Sequence, residues 1–189
     1  PRAKQVFGGE HAETLGIANS LAYAHQLRGE LAAARALYDA LLPAQERQLA
    51  RLHPQALMAR QNCGTLLFEL GEFAAAETML RDAHARFVAV RGADDVEARR
   101  CALRLARAVV AQRRDAQSSE AMATALRAWQ RTAKADDALL LQACREWAAG
   151  LAQMTPPAGA TDWLLVAAIA DAGGDPALAA RARAAAGPR

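Results

Sequence analysis

The stretch HAETLGIANSLAYAHQLRGELAAARALYDALL, from His11 to Leu42, is followed by HPQALMARQNCGTLLFELGEFAAAETMLRDA, from His53 to Ala83. Laid over one another, the two share a histidine at the start and a small residue at Ala22 and Gly64. They also share a Gly-Glu step into alanines, at Gly29 to Ala34 and Gly71 to Ala76. The histidines lie 42 residues apart (53 − 11), and the same step reaches Asp95 in GADDVEAR and Asp137 in KADDALLL. Self-similarity at a fixed period of this size is the mark of a stacked-repeat architecture, in which one supersecondary unit recurs.

Each unit reads as helix, tight turn, helix, loop. A larger residue followed by a small one recurs at Leu21-Ala22, Cys63-Gly64, Leu105-Ala106 and Trp147-Ala148, which marks where a first helix touches its neighbour. Gly29 and Gly71 are natural stops for the first helices. The third unit has Arg113-Arg114-Asp115 at that point, so its turn is degenerate. First helices are expected near 13–28, 54–70, 95–112 and 137–153. Leu21, Ala24 and Leu27, then Ala34, Leu37, Tyr38, Leu41 and Leu42, recur three and four apart and give each helix an apolar face. A helix pair cannot bury such a face alone, and stacking on the next pair does so. Pro43 falls inside the expected second helix of the first unit and should kink it or reset its start.

These residues resemble tetratricopeptide repeats, specifically the 42-residue type of kinesin light chains and of many bacterial signalling proteins. The resemblance is strong over residues 8–92, fair to about 126 and weak beyond. It implies an all-α fold, a right-handed α-solenoid of antiparallel helix pairs. Residues 1–10 read as the end of a preceding helix and a loop, with Gln5-Val6-Phe7-Gly8 as the helix exit, so the chain looks like a piece of a longer protein. Residues 11–136 form three units (11–52, 53–94 and 95–136), and 137–189 a degenerate fourth unit with C-terminal capping helices. In that last part Thr161-Asp162 opens a helix, Gly173-Gly174 closes it, and Asp175-Pro176 caps another that runs to about Ala186. The loop from Met154 to Ala160 replaces the expected turn.

The resemblance also implies a function, the holding of a peptide or partner protein in a concave groove lined by the first helices. Matching the turn glycines places Asn19, Tyr23 and Gln26 of the first unit in that groove, with Gln61, Thr65, Phe68 and Glu69 of the second. Spacing adds Arg100, Leu103 and Arg107 of the third. Amides can pair with a peptide backbone, and Tyr23 and Phe68 offer aromatic contact area. Arg100, Arg104 and Arg107 share one helix face and would suit an acidic peptide or phosphate. An alternative is the regulatory or scaffolding C-terminal region of a larger bacterial signalling protein, such as a serine/threonine kinase. A nucleic-acid-associated helical repeat is a minor one, disfavoured because aromatic interleaving is absent and charge elsewhere is balanced.

Composition fits this reading. In 189 residues the hydrophobic fraction is 53% but aromatics are only 5%, so much of the apolar count is alanine, the best helix former. Runs of β-branched residues with period two are missing, which argues against a sheet. The net charge is +3, with Lys4 and Lys134 the only lysines, and no strongly basic nucleic-acid surface is demanded. The longest apolar stretches fall far short of the ~20 residues that a membrane-spanning helix needs. Cys63, Cys101 and Cys144 are odd in number and lack metal-ligand spacing, which suits a reducing, cytoplasmic setting.

No catalytic or metal-binding constellation and no cofactor motif emerges, so the fragment reads as non-enzymatic. His11 and His53 occupy equivalent helix-start positions, and His25 and His84 lack a ligand partner four residues on. Asp94-Asp95 and Asp136-Asp137 sit at repeat boundaries, where helix capping accounts for them. Gly8-Gly9 and Gly173-Gly174 lack the other glycines and the lysine of a phosphate loop.

Overall fold

A computed structural model of the chain describes residues 11–49, 52–113, 115–131, 138–154 and 159–187. The described residues form nine helices and no strand. The first four are α1 (Ala12–Leu27), α2 (Leu31–Gln48), α3 (Pro54–Glu69) and α4 (Phe73–Arg91). Then come α5 (Val96–Gln112), α6 (Ala116–Gln130), α7 (Ala138–Leu151), α8 (Ala160–Ala172) and α9 (Pro176–Ala186). The four expected first helices, α1, α3, α5 and α7, begin at 12, 54, 96 and 138, each 42 residues after the last. Residues 5–8, Asp136, Asp137 and Pro156-Pro157 lie outside the described set.

Local chemistry explains these boundaries. His11 and His53 do cap helices: the Nδ1 of each accepts the backbone N–H two residues on, from Glu13 at 3.3 Å and Gln55 at 3.2 Å. Asp95 Oδ1 accepts from Glu97 and Ala98 at the head of α5, and Asp175 Oδ1 from Leu178 at the head of α9. At the other ends, Gly29 and Gly71 have φ of 75° and 78°, a left-handed conformation that favours glycine. In the first turn Gly29 N–H donates to Gln26 C=O and Glu30 N–H to His25 C=O, both at 2.9 Å. In the second, Gly71 donates to Phe68 and Glu72 to Leu67, so both turns satisfy the last helical carbonyls in the same way. Where the third turn lacks glycine, Asp115 and Ser118 exchange side-chain and backbone hydrogen bonds in a capping box.

Contacts divide the chain into two compact units, one reaching to Ala98 and one beginning at Arg99. In the first, α1 packs on α2 and α3 on α4, and α3 also touches α2 and α1. Its buried side chains include Tyr38, Leu57, Leu66, Leu80 and Phe87. A Cβ added to Gly64 would sit 2.6 Å from Leu80 Cγ, so α3 and α4 approach as closely as the missing side chain permits.

Two expectations need correction here. The buried stripe of α1 is Leu15, Ala22 and Gln26, whereas Leu21, Ala24 and Leu27 are exposed. Both stripes have helical spacing, but the neighbours settle on the one where Ala22 lets them come close. Pro43 does not reset a helix start, because α2 runs through it to Gln48. The donor that Pro43 withholds leaves a carbonyl one turn back, and its exposed position gives water access to that side.

The second unit gathers α6 to α9 and the rest of α5 around Leu103, Met122, Leu126, Trp129, Trp147 and Ile169. The small residues Ala106 and Ala148 are buried as well. Trp147 Nε1 donates to Ser119 Oγ at 3.1 Å, and Ser119 donates to Asp162 Oδ2 at 2.8 Å. This chain ties α7, α6 and α8 together and satisfies the indole N–H in the interior. No helix among the described residues is long and apolar enough to cross a membrane.

Candidate functional site

The expected groove residues of the first unit sit on α1 and α3. Tyr23 keeps 40% of its surface exposed, and Leu27, one turn further on, keeps 70%. Thr65 and Phe68 on α3 are half-buried. The Thr65 hydroxyl donates back to Gln61 C=O at 2.9 Å, and the Phe68 ring tilts against Phe73 at 5.4 Å between centroids. Asn19 Oδ1 accepts from Asn62 Nδ2 at 3.5 Å, a weak bridge from α1 to α3.

Other expected residues are not available to a ligand. Gln26 is buried and Gln61 retains only 1% of its surface, because both lie on the sides of their helices that neighbours cover. Leu103 is fully buried in the core of the second unit. Two members of the arginine stripe are engaged within that unit. Arg107, itself buried, makes two hydrogen bonds of 2.8 Å to the Glu146 carboxylate, and Glu146 also accepts from Gln142 at 3.0 Å. Arg100 lies over the Trp129 ring at 5.4 Å from its centroid, a cation–π contact. An acidic peptide would have to displace a two-pronged ion pair to use Arg107.

Burial governs several of the titratable side chains. All three thiols are buried, and burial pushes Cys63 up to about 11 and Cys144 to about 12, far from a reactive thiolate. Burial also raises Tyr38 above its ordinary value and, together with Arg81, lowers His84. His25 pairs with Glu30 at the first turn. No group of three His, Cys, Asp or Glu among the described residues is arranged to hold a metal ion.

What remains open on α1 and α3 is a surface of helix sides with one exposed aromatic and aliphatic side chains. Leu27, expected on the packed face of its helix, and Leu70, outside the expected groove set, are both exposed at helix ends. Residues 12–88 match the tetratricopeptide repeat family model. The match spans the two helix pairs α1–α2 and α3–α4, and α5 to α9 lie outside it. Tetratricopeptide repeats are generally protein–protein interaction modules and are typically non-catalytic. No curated protein matches the chain.

Proposed function

We propose that the tetratricopeptide pairs hold a peptide or a segment of a partner protein against the first helices, with Tyr23 as the main anchor. The observation that carries this reading is Tyr23 itself, a large amphipathic ring left 40% exposed on α1, with the half-buried Thr65 and Phe68 on the neighbouring helix α3. Aromatic rings dominate binding energies because they bury much area at little entropic cost. Asn19 and Thr65 supply polar groups at the edge, and Leu27 extends the apolar contact. The 42-residue spacing supports the longer, kinesin-light-chain-like form of the repeat.

The test is recovery of partners on the immobilised chain, followed by affinity measurement with the Tyr23→Ala and Leu27→Ala variants. Each should cost about 1–2 kcal/mol or more of affinity while helicity and urea midpoint stay unchanged. Full retention of partners by both variants would sink the proposal. Phe68→Ala is the poorer probe, since it also removes the contact with Phe73.

A further inference from the structure

A cleft of about 670 Å³ opens within the first unit on its other side, between α2 and α4 with α3 as its floor. Leu42, Cys63, Leu67 and Met79 make it apolar, and three arginines and two aspartates stand around them. Thr65 and Phe68 point elsewhere, since at about 100° per residue Cys63 and Leu67 lie roughly opposite Thr65 on α3. We propose that this cleft is a second docking site, for a short partner segment that carries a bulky apolar side chain next to a lysine or arginine.

The preference for a cation comes from how the charges are seated. The side chains of Arg60 and Arg86 are each only 11% exposed and are already engaged. Arg60 meets Glu46 and lies 3.3 Å from Asp82, which Arg86 also contacts at 2.8 Å. At the other end Arg35 is shared by Asp39 at 3.1 Å and Glu72 at 2.9 Å. Three guanidinium groups thus pair with four carboxylates, Asp39 and Asp82 lining the cleft and Glu46 and Glu72 outside its lining, and the carboxylates are the better exposed partners, Asp39 reaching 63%. An approaching segment meets two sunken, satisfied cations, a part-exposed Arg35 already shared by two carboxylates, and a rim of exposed anions over an apolar floor. A basic residue can share Asp39 and Glu72 while its apolar neighbour leaves water, whereas an acidic segment would face like charge.

Three fluorescein-labelled synthetic peptides test this by anisotropy with the intact chain. They are Gly-Ser-Arg-Leu-Leu-Arg-Ser-Gly, its double-glutamate counterpart, and the version with both leucines replaced by alanine. The first should bind saturably, about tenfold tighter than either control, and should weaken as salt rises. Joint substitution Asp39→Asn with Glu72→Gln should weaken it about fivefold, as expected for losing exposed ion pairs. Ala75→Trp, at an exposed position of α4 on the cleft wall, should block it, and Tyr23→Ala should leave it unchanged. Circular dichroism and urea midpoints verify that each variant folds. The proposal is overturned by equal affinity for the basic and acidic peptides, by absence of saturable binding of the first, or by a loss with Tyr23→Ala that Ala75→Trp does not reproduce.

Discussion

Gly64 faces Leu80 at a separation that leaves no room for a methyl group, and Leu80 is itself fully buried. Gly64→Ala must therefore push the Leu80 side chain or part α3 from α4, and should destabilise by about 1–3 kcal/mol in urea unfolding. Pairing it with Leu80→Ala should cost less than the sum of the two single changes, because the space vacated at residue 80 accepts the new methyl. A fully additive result would show that the strain is relieved elsewhere. His84 supplies a different kind of sensitivity. Its burial and the nearby Arg81 lower its proton affinity in the folded state below the ordinary 6.5. The unfolded chain then binds more protons as pH falls through that region, so this contribution to stability is present at neutral pH and declines below about 6.5 toward the lower folded value. His84→Gln should flatten the stability profile of the chain between pH 7 and 5.

The helices owe their ends to a few side chains, and those can be tested as a set. Alanine at Gly29 or Gly71 would have to hold a left-handed φ, and each substitution should cost about 1–2 kcal/mol. The turn between α5 and α6 depends instead on Asp115, whose carboxyl is held below its ordinary value by hydrogen bonds from the Ser118 backbone and side chain. A lowered carboxyl contributes stability above its ordinary titration range and loses it as pH falls through the lower folded value. The melting temperature of Asp115→Ala should accordingly lie below that of the parent at neutral pH and converge with it in acid. Helix order and boundaries were legible from the sequence because caps and stops are local signals, readable at His53, Gly71, Asp95 and Asp175. The buried face of α1 was not, since Leu21 and Leu27 repeat as regularly as Leu15 and Ala22. Periodicity identifies stripes, and only the position of a neighbouring helix decides which stripe is covered.

The same reasoning explains which parts of the candidate site could be foreseen. Tyr23 is exposed because of its place on one helix, whereas Arg107 is occupied by Glu146, 39 residues further on, a pairing that no local pattern announces. The cysteines offer a measure of how the two units respond to denaturant. Cys63 belongs to the first, Cys101 and Cys144 to the second, and all three are buried. Each should resist alkylation until its own unit opens. Cys101 and Cys144 should become reactive at one urea concentration, and Gly64→Ala should shift the Cys63 transition downward by the free energy it costs globally. Divergent transitions for Cys101 and Cys144 would contradict cooperative unfolding of the second unit. The aromatic residues divide along the same line. Tyr23 and Tyr38 are the only tyrosines and fall before Ala98, while the three tryptophans, at 129, 147 and 163, all fall after Arg99. Intrinsic emission excited at the red edge of the spectrum therefore comes from the second unit alone, and a denaturation curve recorded from it carries no direct signal from the helix pairs of the first unit. Their melting has to be followed through tyrosine absorbance, which makes the chain its own two-colour probe.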